Sequence, residues 1–162
     1  MKKANFLSIL RTLRKAQVDF IVVGGVGGAL QGAPITTFDL DIVHSRDPGN
    51  VERLLVALES LGAHYRLPGA QHKKPERSHL QSSGHHLLMT GAGPLDLLGT
   101  IGHGSGYEDL VARTITLEVG KGLHVRVLEL ATLIEVKEET AGEKDKAALL
   151  ILRRTLQERN AG

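Results

Sequence analysis

Three aspartates in apolar surroundings are the residues of this chain whose types and spacing suggest chemistry. Asp39 and Asp41 alternate with Leu40 and Ile42 in one apolar run. Residues two apart on a β-strand point to the same face, so this spacing predicts two carboxylates side by side. Asp96 lies between leucines on a separate apolar run and adds a third carboxylate. Paired carboxylates beside a core repel each other and lose hydration, which favours a compensating cation.

The ligand set favours Mg²⁺ or Mn²⁺ over zinc, because it consists of hard carboxylate oxygens and the chain has no cysteine. Two such ions, about 4 Å apart, can clamp the attacking and leaving oxygens of an in-line phosphoryl displacement. Asp-x-Asp also occurs on solvent-facing edge strands, so spacing alone leaves that alternative open. The clustered histidines match no zinc template; they are His72, His79, His85 and His86.

A glycine pair, Gly24 and Gly25, ends an apolar run upstream of the aspartates. The segment is not a P-loop, because Gly32 is followed by Ala33 rather than lysine. It is not a dinucleotide fingerprint either, because Leu30 stands where the third glycine is required. The expected feature is a strand ending at the glycine pair, followed by a helix N-terminus that could bind an anion. A tight turn that merely allows close packing is the alternative.

Composition indicates one globular domain over residues 1–162, with 41% hydrophobic residues to form its core. The net charge of +2 and the pI of about 9.0 argue only weakly for a nucleic-acid partner, and 3% aromatic residues leave few stacking platforms. With no cysteine, no secretory signal and no apolar run long enough to span a bilayer, we expect a soluble cytoplasmic protein without membrane contact.

Hydrophobic periodicity predicts an α/β (α+β) fold with a helical C-terminal segment at 129–158. The polar stretch 68–83 is expected to be an exposed loop. Helices are predicted at 5–16, 26–31, between Asp47 and Gly62, at 129–140 and at 145–158. Strands are predicted at 20–23, 37–43, 85–90, 94–99, 113–119 and 123–128.

The motifs together resemble the nucleotidyltransferase superfamily typified by DNA polymerase beta. The resemblance rests on Gly-Gly at 24–25, TTFDLD at 36–41 and LDLL around Asp96. It is strongest to the small stand-alone bacterial nucleotidyltransferases, including the antitoxin-like and lincosamide-modifying groups. Residues 127–152 resemble their C-terminal helical segment, whereas Ile35 departs from the pattern because these relatives often carry Arg there. The resemblance implies a mixed β-sheet with flanking helices.

The resemblance also implies roles for the conspicuous residues. Gly24 and Gly25 would hold the β- and γ-phosphates of an NTP such as ATP. Asp39 and Asp41 would bind both metal ions. Asp96 would ligate the catalytic metal and orient or deprotonate the acceptor hydroxyl. Pyrophosphate would then leave.

Two further residues receive nucleotide-binding roles. Thr37 would support the turn into the aspartate strand, and its hydroxyl could also reach a phosphate. Lys137 would lie across the site as a phosphate-charge donor, as the family comparison implies. The alternative for Lys137 is a lysine near an apolar stripe that extends its amine to water.

The expected function is metal-dependent transfer of an NMP from an NTP to a hydroxyl of an unknown acceptor, which could be RNA, protein or a small molecule. One alternative is a non-catalytic, antitoxin-like partner that neutralises a toxin by contact on the same fold. A metal-dependent phosphohydrolase that uses the same aspartates is another. A further alternative is a homodimer in which the second protomer closes the acceptor cleft.

Overall fold

The computed structural model describes residues 4–67, 73–142 and 145–161. Predictions for residues 68–72, His72 among them, and for residues 143–144 lie outside the described part. The strands are β1 Phe20–Val23, β2 Leu40–His44, β3 His64–Tyr65, β4 His85–Thr90, β5 Gly93–Leu98, β6 Thr114–Glu118 and β7 His124–Leu128. They form one mixed seven-stranded sheet in the order β3-β4-β5-β2-β1-β7-β6. The predicted α/β class and mixed sheet are therefore confirmed.

Helices in the described part of the chain flank both faces of the sheet. They are α1 Phe6–Lys15, α2 Gly24–Leu30, α3 Pro48–Ser60, α4 Arg77–Gln81, α5 Tyr107–Leu110, α6 Leu130–Glu139 and α7 Lys146–Ala161, with a 3-10 turn at Val111–Arg113. No helix in the described ranges is both long and apolar enough to cross a membrane.

Two apolar layers hold the helices against the sheet. On one face, α1 and α3 bury residues at helical spacing, such as Leu10 and Leu54, against alternate strand residues, such as Val22 and Ile42. On the other face, α6 and α7 cover the complementary strand residues, such as Val43. The strands β1 and β2 are thus covered on both sides; β1 is wholly apolar and buried throughout, and in β2 only Asp41 is less than fully buried.

The central strands set the register of the aspartates. β1 pairs antiparallel with β2, which brings Val23 opposite Asp41. β2 pairs parallel with β5, which brings Asp41 opposite Asp96. Residues opposite each other on neighbouring strands point to the same face, so these two carboxylates lie side by side although they are far apart in sequence.

Two predicted boundaries near the site were wrong. β2 begins at Leu40, so Asp39 precedes the strand instead of lying within it. Gly24 and Gly25 are the first residues of α2 rather than the end of β1. Glycine permits this early start, because Gly24 has φ +65°, a value that side-chain-bearing residues rarely adopt.

Three short elements were missed by the sequence patterns. Part of the predicted loop 68–83 is helical, because α4 spans Arg77–Gln81 and buries Leu80. The two-residue strand β3 pairs with β4 at the sheet edge. The four-residue helix α5 lies in a glycine-rich region. Elements this short carry less than two periods of a hydrophobic pattern, so periodicity alone does not reveal them.

Candidate active site

Asp39, Asp41 and Asp96 form one cluster, called here the aspartate triad. One carboxylate oxygen of each residue lies within 4.8 Å of those of the other two. β2 and β5 supply two of these side chains from adjacent parallel strands, and the residue before β2 supplies the third. The sheet therefore brings together the three carboxylates that the sequence singled out.

The electrostatics of the triad disfavour three negative charges in a metal-free site. Closeness to Asp96, with which Asp39 can share a proton, raises the pKa of Asp39, and partial burial adds to the effect. Burial, followed by the negative charge of Asp39, raises the pKa of Asp41 from 3.8 to about 8. Without a cation, Asp41 therefore holds its proton to a higher pH than an exposed aspartate does.

Asp41 also has an unsatisfied oxygen. Its Oδ1 atom is buried and, among the described residues, has no hydrogen-bond partner. A buried polar atom without a partner is costly, and a bound divalent cation would satisfy it while stabilising the ionised carboxylate. The donor set of three carboxylates fits Mg²⁺ or Mn²⁺, the ions predicted from the sequence.

Gly24 allows the backbone to approach Asp41 closely. A Cβ atom at this position would collide with the Asp41 carboxylate, so any side chain here would displace a triad member. At Gly25 a Cβ atom would lie 3.1 Å from the Thr37 Cβ. The glycine pair thus packs the start of α2 directly against the segment that carries the aspartates.

Thr37 stabilises the approach to β2. Its hydroxyl donates a hydrogen bond to the backbone oxygen of Asp39 at 2.9 Å. This is the turn-supporting contact expected from the sequence. Thr37 also lines the cavity beside the triad, and its role toward a phosphate stays a prediction.

Lys137 lies on α6 and lines the cavity beside the triad. Its amine lies 3.3 Å from a carboxylate oxygen of Asp145, which precedes α7. Its positive charge also lowers the pKa of Asp41, against the dominant effect of burial. Lys137 is therefore close enough to act on the triad electrostatically without a described direct bond to it.

A cavity of about 550 Å³ opens beside the triad, between the sheet and helices α6 and α7. Its lining includes Asp39 and Asp41 but not Asp96. The sequence-predicted lining residues are Gly24, Gly25, Thr37 and Lys137. Those not predicted include Ile35, Phe38, His85, Thr100, Leu133 and Leu152. Leu133 and Lys137 are four apart on α6, so helical spacing was the signal that could have linked this apolar position to the site.

Arg66 is a site residue that sequence reasoning missed. Its Nη2 atom donates to Asp96 Oδ1 at 2.7 Å, and Arg66 is not among the residues that line the cavity. The residue follows the two-residue strand β3, in a region with no recognisable motif. Only the three-dimensional pairing of β3 with β4 brings Arg66 to Asp96.

The histidines are divided between two faces of β4. His85 is exposed, lines the cavity, and its Nε2 atom lies 2.8 Å from the Thr100 backbone oxygen. His86 is buried and lies within hydrogen-bonding distance of the Tyr65 hydroxyl and the Ser82 hydroxyl. Alternation along the strand places these two neighbouring side chains on opposite faces.

Similarity to known proteins was found through three-dimensional structure. The chain matches no protein-family model and no curated protein. A candidate nucleotidyltransferase from Thermotoga maritima superposes with a TM-score of 0.57 at 20% identity, over 94% of this chain and 91% of that one. The lincosamide antibiotic adenylyltransferase LnuA, bound to lincomycin, gives 0.62 at 13% identity, over 94% and 98%. The chain has the nucleotidyltransferase fold.

A third structure supports the same assignment. The antibiotic-resistance factor ANT(2'')-Ia superposes with a TM-score of 0.54 at 13% identity, over 96% of this chain and 93% of that chain. The resemblance inferred from the glycine pair and the aspartates is therefore confirmed at the level of the fold. At these identities the fold does not by itself assign an activity, so function must be argued from the site.

Proposed function

We propose that this protein is a metal-dependent nucleotidyltransferase that moves an NMP from an NTP to a hydroxyl group of an acceptor. The observation that carries the proposal is the aspartate triad with its unsatisfied Asp41 oxygen. A structural cluster of carboxylates would be expected to have its buried oxygens satisfied by protein donors. The nucleotidyltransferase fold of the chain is consistent with the proposal.

Asp39, Asp41 and Asp96 are the residues that would hold two divalent cations. Cations bound there supply Lewis-acid stabilisation of the charge on the transferring phosphoryl group. The raised pKa values of Asp39 and Asp41 fit this role, because cation binding and proton release are coupled.

The cavity is the proposed NTP site. The glycine backbone at Gly24 and Gly25 allows close approach of phosphates beside Asp41, and Lys137 supplies a positive charge at the same cavity. Apolar side chains from α6 and α7, such as Leu133 and Leu152, offer a surface for the nucleoside.

In the proposed reaction the acceptor oxygen attacks the α-phosphorus of the NTP and forms a new P–O bond. The bond between the α-phosphorus and the oxygen that bridges to the β-phosphate breaks, and pyrophosphate leaves with that electron pair. The carboxylate of Asp96 accepts the acceptor's hydroxyl proton.

The test is transfer of label from α-³²P NTPs, with each of the four bases, to RNA, protein and small-molecule acceptors in the presence of Mg²⁺ or Mn²⁺. Pyrophosphate release is measured in parallel. We expect both signals in the wild type, and a loss of about 1,000-fold or more in the double variant Asp39→Asn with Asp41→Asn, because the two proposed cation ligands act together.

The control variant is Asp47→Asn, which keeps an N-cap at α3 and lies outside the cavity lining. Equal transfer by the wild type and the double variant would refute the proposal. Hydrolysis of NTP without any acceptor would indicate a phosphohydrolase. Absence of NTP and metal binding together with a co-purifying protein would instead favour the antitoxin-like alternative.

A further inference from the structure

Arg66 makes the only ion pair to the aspartate triad in the described part of the chain. Its Nη2 atom lies 2.7 Å from Asp96 Oδ1, and the two side chains are 24% and 11% exposed. Charge-assisted hydrogen bonds of this length are among the stronger ones in proteins, and limited exposure reduces their screening. The contact is therefore not an ordinary surface ion pair.

The guanidinium is fixed at more than one point. While Nη2 bonds Asp96, Nη1 donates to the backbone oxygen of Leu88 at 2.8 Å. The backbone nitrogen of Arg66 donates to the Leu87 oxygen at 3.1 Å, which extends the pairing of β3 with β4. A planar guanidinium anchored in this way has little freedom to turn, so its direction toward Asp96 is set by the sheet.

Asp96 needs such a partner to keep its orientation. It lies opposite Asp41 on the neighbouring strand and close to Asp39, so once all three carboxylates are ionised, as cation binding requires, their mutual repulsion would turn Asp96 away from the cluster. On its other side Asp96 pairs with Leu87, an apolar residue that offers no side-chain donor. Arg66 supplies the missing donor from beyond this strand.

We propose that Arg66 is a positioning residue, which fixes the Asp96 carboxylate in the orientation that completes the aspartate triad. Its catalytic consequence rests on the proposed function, whereas its effect on the orientation of Asp96 does not. Arg66 lies outside the lining of the proposed NTP cavity. Substitution of Arg66 should therefore affect proton transfer to Asp96 and cation binding rather than the affinity for NTP.

The experiment compares Arg66→Gln and Arg66→Lys with a matched control, Arg113→Gln. The control removes an arginine Nη1 contact with Glu135 that has the same 2.7 Å length but lies on the exposed surface. Mn²⁺ dissociation constants are measured by electron paramagnetic resonance. Crystal structures of the metal-free wild type and Arg66→Gln proteins give the rotamer of Asp96.

Positioning and simple charge compensation predict opposite results. If Arg66 positions Asp96, both Arg66→Gln and Arg66→Lys weaken Mn²⁺ binding about tenfold or more, because the three donors of a lysine share one nitrogen on a flexible stem and cannot reproduce the planar fork that fixes Asp96 from the Leu88 oxygen. Removal of a positive charge alone would tighten Mn²⁺ binding in Arg66→Gln and leave Arg66→Lys unchanged. Tighter or unchanged binding in Arg66→Gln, relative to Arg113→Gln, would overturn the proposal.

The remaining readouts separate this inference from the proposed function. Where transfer occurs, we expect Arg66→Gln to lower kcat with an unchanged KM for NTP. If the wild type binds Mn²⁺ but transfers no nucleotide, the proposed function fails while the Mn²⁺ comparison still tests Arg66. If the wild type binds no Mn²⁺, the metal-free crystal structures still test whether Arg66 positions Asp96. An Asp96 rotamer turned away from Asp39 in Arg66→Gln supports positioning, and an unchanged rotamer contradicts it.

Discussion

Two cationic side chains act on the aspartate triad, and they are held in different ways. Arg66 bonds a triad member directly and is anchored on the backbone of β4. Lys137 pairs with Asp145, outside the triad, and lines the open cavity. The guanidinium is thus fixed by protein contacts away from the cavity lining, whereas the ammonium group borders space for a ligand.

This difference separates two uses of positive charge in one site. A guanidinium with two planar donors suits the fixed orientation of a carboxylate, as at Asp96. An ammonium group on a flexible stem can exchange a carboxylate partner for a phosphate that enters the cavity. We therefore propose that Arg66 maintains the architecture of the site and that Lys137 binds the incoming nucleotide.

Among the single substitutions, the largest effect is expected from Gly24→Ala, at a residue that lines the cavity. In Gly24→Ala the added methyl group would collide with the Asp41 carboxylate, and φ +65° would be strained. Displacement of a triad carboxylate should lower transfer about 100-fold. The control is Gly62→Ala, which has the same φ of +65° but open space around the new methyl group. Similar activity losses in both variants, measured at matched folded fraction, would show that the collision has no special effect.

An intermediate effect is expected from Lys137→Gln. Loss of the charge–phosphate interaction should raise KM for NTP about tenfold or more, because hydrogen bonds to charged groups contribute about 1.5–3 kcal/mol. Mn²⁺ affinity should change less than in Arg66→Gln. The control is Arg153→Gln, which breaks another ion pair between α6 and α7, with Glu138. Steady-state kinetics would contradict the assignment if KM stayed at the wild-type value or rose equally in the control.

The smallest effect concerns the stability of the metal-free protein. Asp41 has a pKa of about 8 when folded and near 3.8 when unfolded, so between these values the folded state holds more protons. Stability from this group should therefore fall as pH rises from about 4 to about 8. In Asp41→Asn, which cannot ionise, this contribution to the decline should disappear. Between low and high pH, the Tm of the wild type should therefore fall by several degrees more than that of Asp41→Asn. For a domain of this size, a change of about 1 kcal/mol in stability shifts Tm by about 2–4 °C.

Thermal melts in EDTA at pH 5 and pH 8 measure this decline. Mn²⁺ added at pH 8 should raise the Tm of the wild type more than that of Asp41→Asn. Lys137→Gln should steepen the decline, because the lysine charge lowers the pKa of Asp41. Parallel pH profiles for the wild type and Asp41→Asn would contradict the raised pKa.

Sequence patterns predicted the parts of the site that lie on regular elements. The apolar runs around Asp41 and Asp96 identified β2 and β5, and the helical stripe of α6 placed Lys137 near the apolar face. The register that joins Asp41 to Asp96 was not visible in the sequence. It depends on which strands become neighbours in the sheet, and the resemblance to nucleotidyltransferases supplied that expectation.

Features that depend on tertiary pairing escaped prediction. Arg66 follows a strand of only two residues, and its partner lies two strands further into the sheet. Leu152 of α7 lines the cavity because α7 packs against α6, and no local spacing encodes that tertiary packing. α2 begins at Gly24 because this residue adopts a positive φ. The presence of a glycine pair in the sequence does not indicate which φ each glycine adopts, so this boundary could not be predicted.

The most direct test of the central claim is a crystal structure with a non-hydrolysable NTP and Mn²⁺, using anomalous scattering to locate the metal. We expect two Mn²⁺ peaks bound by Asp39, Asp41 and Asp96, with the triphosphate in the cavity along Gly24 and near Lys137. Nucleotide bound elsewhere, or a triad without Mn²⁺ at saturating concentration, would contradict it.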